Sequence, residues 1–450
     1  MDWRHVMVEP RFRCVILGAA GRDFHDFLTF FREHPEMEVV AFTAEQIPFI
    51  ERRTFPKALA GPGYRDDIPI FPESELPDLI RRFDVDFVFL AYSDLSHGDV
   101  MHKAAIAQAA GASFALLGPK HTELAATKPV IAVTAVRTGA GKSPLSQAIA
   151  AHLAGRGLRV GIVRHPMPYG DLARQAVQRL ASAADLDRAE CTVEEREEYV
   201  PYIERGLVVF AGVDYARILA RAEEESDVIL WDGGNNDRSF FKAGLKIVVL
   251  DALRPGHELA YYPGETNFRS ADVLVINKVG MAHLPELDLL RSHAAEYNPR
   301  ATVIESDLEL DVADPSRVRG KRVLVVEDGP TLTHGGMAYG AGVLAARRFE
   351  AAEIVDPRPH AVGTIAATYQ KYPHLHRVLP ALGYSDEQLR DLAKTIEGAR
   401  PEVVIDASPA RVGRLLGLTT PVVEIRYRFS QKSGTSILAL VDGYLGAKPA

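Results

Sequence analysis

Short apolar runs of strand length alternate with amphipathic helical stretches along nearly the whole chain, and this alternation limits the fold more than any other feature. Val15-Ile-Leu-Gly, Val39-Val-Ala-Phe, Asp86-Phe-Val-Phe-Leu-Ala and Ser113-Phe-Ala-Leu-Leu-Gly form a first series. A second starts at Val130-Ile-Ala-Val-Thr-Ala and runs through Val160-Gly-Ile-Val-Arg, Leu207-Val-Val-Phe, Val228-Ile-Leu-Trp-Asp, Ile247-Val-Val-Leu, Val273-Leu-Val-Ile-Asn, Ala301-Thr-Val-Ile and Val323-Leu-Val-Val-Glu. Val403-Val-Ile-Asp and Val422-Val-Glu-Ile-Arg come later. A strand apolar at every position must be buried on both faces, so the pattern predicts an α/β fold with a mostly parallel sheet covered by helices. Thr127-Lys-Pro marks a restart. The expected division is a Rossmann-like domain over residues 1–128, serving substrate binding, and a larger P-loop NTPase domain over 129–450. From about residue 350, near Asp356-Pro-Arg-Pro-His, the chain either forms a C-terminal subdomain or finishes the same sheet. The first turn, Gly18-Ala-Ala-Gly-Arg, falls short of the dinucleotide fingerprint and reads as a tight strand-to-helix turn.

Composition removes several classes of function. At roughly 150 residues per domain, 450 residues allow two to four domains. Hydrophobic residues at 47% and charged residues at 25% exclude disorder as the main state. Cys14 and Cys191 stand far apart, which excludes a disulfide scaffold and a cysteine zinc site and fits a reducing, cytoplasmic setting. With 52 Lys+Arg against 60 Asp+Glu the net charge is −8, so no nucleic-acid or membrane partner is expected and any phosphate site must be local. No uncharged apolar run approaches the roughly 18 residues of a membrane span, and Asp2, Arg4, His5 and Glu9 rule out an apolar signal core at the N-terminus.

Val136-Arg-Thr-Gly-Ala-Gly-Lys-Ser143 follows a strand and precedes a helical pattern, the context a P-loop requires. Its glycines let successive N–H groups turn toward phosphate oxygens. Thr138, Gly139, Ala140, Gly141, Lys142 and Ser143 are the expected nucleotide-binding residues, with Lys142 on the terminal phosphates and Ser143 on Mg²⁺. Val136 stands where the usual first glycine would be. Arg137 stands where deviant Walker A ATPases carry an extra basic residue that often reaches across a dimer. Asp232 ends an apolar strand and is followed by Gly233-Gly-Asn-Asn-Asp237, which reads as Walker B, a second Mg²⁺ ligand with Ser143. Lys142, Arg137 and Asp232 are the expected catalytic residues. Asn277-Lys-Val-Gly280 sits at the position of the NKxD base motif, so Asn277 and Lys278 are expected to frame the base. Gly280 replaces the aspartate that would read guanine, which favours ATP.

Three further strand-end loops carry more polar groups than a nucleotide needs. They are Val163-Arg-His-Pro-Met-Pro-Tyr-Gly-Asp171, Arg254-Pro-Gly-His-Glu258 and Glu327-Asp-Gly-Pro-Thr-Leu-Thr-His-Gly-Gly336. Loops at the carboxyl ends of parallel strands share one crevice. Arg164, His165, Arg254, Thr331, Thr333 and His334 are therefore expected to bind an acceptor bearing several phosphates, and His257 lies in the same group of loops.

Taken together these stretches resemble the cyclic 2,3-diphosphoglycerate synthetase family, in its bacterial branch often labelled GTPase. The resemblance covers nearly the whole chain and adds Val15-Ile-Leu-Gly-Ala-Ala-Gly-Arg-Asp-Phe-His to the loops quoted above. It implies a P-loop ATPase core, an N-terminal domain that helps hold the acceptor, Mg²⁺ with K⁺ as an additional ion, and a homodimer. It implies closure of an intramolecular phosphoanhydride in 2,3-diphosphoglycerate, or in a similar small phosphorylated metabolite, with ATP giving ADP and phosphate. A phosphate nucleophile is already ionised and needs no named base. The alternative from the residues is a nucleotide-dependent switch or metallochaperone-type NTPase acting on a protein partner, which the deviant-like loop supports.

Overall fold

The computed structural model describes residues 11–18, 21–45, 53–165, 170–234, 237–312, 314–333, 337–382, 385–408 and 411–446. The fold is α/β with largely parallel sheets, as the alternation predicts. The first sheet has six strands in the order Thr54–Phe55, Ile68–Pro72, Met37–Ala44, Phe12–Leu17, Phe87–Leu90, Ser113–Ala115. All its pairings are parallel except the one at Thr54–Phe55. Cys14, Val15, Ile16 and Leu17 are wholly buried, because helices cover both faces of that strand.

The second sheet has thirteen strands, and the P-loop strand Val130–Ala135 lies well inside it. Its neighbours are Val228–Trp231 and Leu245–Asp251, both parallel. Outward on one side follow Val160–Val163 and Val208–Ala211, and on the other Val273–Asn277 and Thr302–Val312. All six residues of Val130–Ala135 are buried, as expected of a β-rich, fully covered central strand. Cys14 and Cys191 are buried free thiols.

Strands beyond residue 320 extend this same sheet. Val422–Ser433 returns antiparallel along the eleven-residue strand Thr302–Val312 and then pairs in parallel with Val403–Asp406. Arg322–Glu327 continues the order, with Glu353–Ile354 and Leu379–Pro380 beside it. The long antiparallel ribbon thus joins a second parallel group to the P-loop group. Both groups direct strand ends toward one cavity. Among the described residues, no helix is long and apolar enough to cross a membrane.

Candidate active site

The P-loop curls because two glycines accept backbone angles that other residues resist. Gly139 has φ +81° and Gly141 has φ +99°. Gly141 then starts the helix Lys142–Gly155. The loop opens on a cavity of about 920 Å³, lined by Arg137 to Pro144 on one side and by Glu327, Tyr339, Arg411 and Tyr427 on the other.

Asp232 sits beneath the loop with no exposed surface. Lys142 Nζ donates to its Oδ1 at 2.6 Å and to the carbonyls of Asp232 and Gly233 at 2.8 Å. Ser146, one turn after Ser143, donates to the same oxygen at 2.7 Å. Arg164 and the Tyr202 hydroxyl both bond Oδ2. Burial alone would raise the acid's pKa, but Arg164 and Lys142 hold it below its ordinary value. Burial lowers the Lys142 ammonium to about 8 against the pull of Asp232.

Asp232 holds the lysine, a serine, an arginine and a tyrosine rather than presenting an open carboxylate. Ser143 lines the cavity. Ser143 and Asp232 are oxygen donors of the kind Mg²⁺ prefers, and an Mg²⁺ site built on phosphates needs only one or two protein ligands. The residues fit the ion: Ser143 would supply a hydroxyl, and Asp232 would supply a carboxylate oxygen if it were released from Lys142. Among the described residues there is no group of three or more His, Cys, Asp and Glu that would hold a metal alone.

Other expected residues take different places. Arg137 pairs with Asp94 at 2.6 Å, meets His257 Nδ1 at 3.0 Å and lies 3.7 Å from the centre of the Tyr261 ring. It lines the cavity and is held there by these contacts within the chain. Asn277 donates to the Ala140 carbonyl at 2.8 Å, and Lys278 to the Gly139 carbonyl at 2.7 Å and to Asp251 at 2.8 Å. These two brace the loop from below. Arg254 is bound to Asp251 and to the Thr138 carbonyl at 2.6 Å, so it too supports the loop.

Arg164 does line the cavity, paired with Asp232 and with Glu198 of the helix Val193–Ile203. His165 does not. It is buried against Trp231 and Phe240, 3.7 Å from Asp237, and burial lowers its pKa to about 4. Asp237 itself pairs with Arg22 of the first sheet's leading helix at 2.5 Å. Thr333 donates back to the Gly329 carbonyl at 3.0 Å. Thr331 lies in the short helix Gly329–Thr333, its side chain outside what is described. His334, Gly335 and Gly336, with Pro166–Tyr169, Asn235 and Asn236, lie outside the described residues.

No protein-family model matches the chain. The chain is 57% identical over 419 residues to the arginine synthetase ArcE of Thermococcus kodakarensis, covering 93% of this chain and 94% of that protein. It belongs to the same family. It is also 30% identical over 287 residues to the tetraacyldisaccharide 4'-kinase of Anaeromyxobacter dehalogenans strain 2CP-C, covering 59% of this chain and 68% of the kinase. Among solved structures, LpxK from Aquifex aeolicus in complex with ATP matches 72% of this chain and 90% of its own, at 13% identity and a TM-score of 0.44. With synthetase and kinase relatives, this ArcE-family member is an ATP-dependent enzyme of the phosphoryl-transfer and ligase class.

Several members of the site carry no motif. Ser146 was legible only as a residue three beyond Ser143, hence on nearly the same helix face. Tyr202, Glu198 and Asp94 arrive from distant parts of the chain, and nothing in their local sequence marks them. Glu327 closes the strand Arg322–Glu327, and its carboxylate accepts from the N–H groups of Gly340, Gly342 and Val343 at 2.9, 3.2 and 2.9 Å. Burial raises its pKa to about 7 against those three bonds.

Proposed function

We propose that this protein is an ATP- and Mg²⁺-dependent synthetase that makes arginine by activating the oxygen of a ureido amino acid for replacement by nitrogen. The observation that carries the reading is the mixed charge of the cavity facing the P-loop. Lys142, Arg164 and Arg426 line it together with Glu198, Glu327 and Asp328. A zwitterionic amino acid needs partners of both signs, whereas a polyphosphate acceptor leaves these carboxylates opposed by like charge. The relative named arginine synthetase is matched over nearly its whole length, which supports the same reading.

The chemistry balances in two steps. The ureido oxygen attacks the γ-phosphorus, the bond to ADP breaks, and an O-phosphorylated isourea forms. Ammonia adds to the isourea carbon, and phosphate leaves with the former ureido oxygen and one ammonia proton, giving the guanidinium. Such transfers depend on alignment and charge neutralisation more than on covalent help. Lys142 exchanges Asp232 for phosphate oxygens, the loop N–H groups hold the nucleotide, and Arg164 stays at the floor of the cavity. Mg²⁺ supplies further neutralisation of the phosphate oxygens.

The second reading is closure of a cyclic phosphoanhydride in 2,3-diphosphoglycerate, favoured by the cations Lys142, Arg164 and Arg426. One assay separates the two. The protein is incubated with ATP, MgCl₂, citrulline and ammonium, and arginine, ADP and phosphate are quantified. Equal amounts of the three are expected. Absence of arginine, with ATP turnover instead stimulated by 2,3-diphosphoglycerate and a cyclic product formed, overturns the arginine reading.

A further inference from the structure

The seam between the two sheets buries an arginine that has no carboxylate partner among the described residues. Arg238 is only 6% exposed. Its Nη2 donates to the Leu117 carbonyl at 2.8 Å, while its Nε meets no partner. The acids of the seam are committed elsewhere. Asp237 and Asp26 both pair with Arg22, at 2.5 and 3.3 Å, and Asp237 also accepts the backbone N–H of Arg238 at 2.8 Å. Burial, with repulsion from Arg22, lowers the pKa of Arg238. A guanidinium nevertheless stays charged at any ordinary pH, and a buried charge calls for an opposite one.

A small cleft lies beside this arginine. Its volume is about 60 Å³, several times the roughly 10–15 Å³ that one water needs. Arg238 lines it with Glu123, Thr134, Lys246 and Thr266. Glu123 follows the helix Pro119–Thr122 at the exit from the first sheet. Thr134 belongs to the P-loop strand Val130–Ala135, Lys246 to the adjoining strand Leu245–Asp251, and Thr266 to the helix Gly264–Ser270. Alternation along the P-loop strand separates this cleft from the nucleotide side. Ile131 and Val133 pack with Leu145 and Ile149 of the helix Lys142–Gly155, so Thr134 faces the other way. The cleft shares no described lining residue with the cavity at the P-loop.

The charges lining the cleft are two cations, Arg238 and Lys246, and one acid, Glu123. Burial raises the pKa of Glu123 even though Lys246 and Arg238 pull it down. Among the described residues it forms no ion pair with either. One positive charge is thus left over, in a space that suits a single small ion.

We propose that this cleft is an anion site that takes a halide, chloride in solution, between the Arg238 guanidinium, the Lys246 ammonium and the Thr134 hydroxyl. The ion supplies the counter-charge for Arg238. Its place between the exit from the first sheet and the P-loop strand makes it a tie across the seam, formed only in the folded chain. A divalent anion is disfavoured because Glu123 cancels one of the two cations.

The test is thermal unfolding of the full chain at constant ionic strength while sodium isethionate is exchanged for sodium bromide or chloride. Anomalous diffraction from bromide-soaked crystals accompanies it. A ligand that binds only the folded state raises Tm as its concentration passes Kd. Tm should therefore climb with either halide, and a bromine peak should lie within hydrogen-bonding distance of Arg238. Arg238→Met should abolish both signs. Lys246→Met, at a partly exposed position, guards against a folding defect in the first variant and should move the response to higher halide concentration. Glu123→Gln should move it to about 5-fold lower concentration, the weight of one unit charge about 4 Å away in a water-like dielectric. If Glu123 itself neutralises Arg238 in solution, the unmodified protein shows no halide response and Glu123→Gln lowers Tm at every bromide concentration. That result overturns the anion site. A bromine peak without a halide-specific rise in Tm, marking an adventitious ion only, overturns it as well. Stabilisation by inorganic phosphate but not by bromide overturns the assignment to a monovalent ion.

Discussion

Asp232 and Glu327 lie at the ends of strands in the two oppositely running parallel groups of one sheet and line the same cavity, yet opposite means stabilise them. Asp232 is held by the side-chain cations Lys142 and Arg164 with two hydroxyls. Glu327 is held by three backbone N–H groups at the start of the helix Ala341–Arg348. The cations outweigh burial at Asp232 and keep it ionised. At Glu327 the three amides do not offset burial, and its pKa rises to about 7. A side-chain cation can leave for a phosphate, whereas a backbone amide cannot. The P-loop wall is therefore built for exchange of partners, and the far wall for a fixed shape.

The strongest way to break the contrast is Arg164→Ala. It strips one cation from a fully buried carboxylate and also leaves Glu198 without that partner. Removing one member of a buried ion pair costs about 3–5 kcal/mol. Denaturant unfolding should show a loss of that order. A loss below about 1 kcal/mol would mean Lys142 alone balances Asp232. Next comes Lys142→Ala, which leaves Arg164, Ser146 and Tyr202 on Asp232. Lys142 pairs with the same buried carboxylate, so stability should also fall, but by less than in Arg164→Ala because burial already penalises the ammonium. Turnover should fall about 100- to 1000-fold, the scale for loss of one preorganised electrostatic donor. Turnover close to normal would remove the exchange of Lys142 from the mechanism.

Glu327→Gln probes the fixed wall. The folded pKa of Glu327 lies above its unfolded value, so the native state binds more protons between the two. Its contribution to stability is fully present at low pH and is lost as pH rises through about 7. Unfolding free energies at pH 5 and pH 8 should differ less in the variant than in the unmodified protein, by on the order of 2 kcal/mol. An identical pH dependence in both would mean that the three amides already hold the carboxylate ionised.

The contrast also marks what the sequence could disclose. Strand-length apolar runs and the Gly-Lys-Ser helix start are local patterns with one physical solution, so the α/β fold and the position of the P-loop were legible. The partners of each loop were not, because a side chain's charge does not tell which neighbour neutralises it. Arg164, Arg254 and His165 all sit in strand-end loops. One lines the cavity, one clamps the Thr138 carbonyl, and one packs in an aromatic cluster around Phe240. Only the tertiary packing separates them. Asn277-Lys278 is similar: the pair was visible as a motif, but whether it frames a base or braces a loop depends on distances to Gly139 and Ala140. Asp94 had no signal, since it comes from the first sheet's segment and acts on the second.

The smallest expected effect concerns that residue. Asp94 brings a third carboxylate to the P-loop, intermediate between the other two because its partners are one side chain and one amide. It pairs with Arg137 and accepts the Thr138 N–H at 3.3 Å. Both ion-pair members are only about a tenth exposed, with side-chain values of 10% and 12%, so the pair is screened far less than a surface one. Arg137 nevertheless keeps the Tyr261 face and His257 when Asp94 loses its charge. Asp94→Asn should therefore cost only about 1 kcal/mol in unfolding, and specific activity should stay independent of protein concentration. If Asp94 were the sole restraint on Arg137, the variant would free that arginine to act on a second copy, and specific activity would rise with concentration. That outcome would turn the contact from a structural tie into a latch.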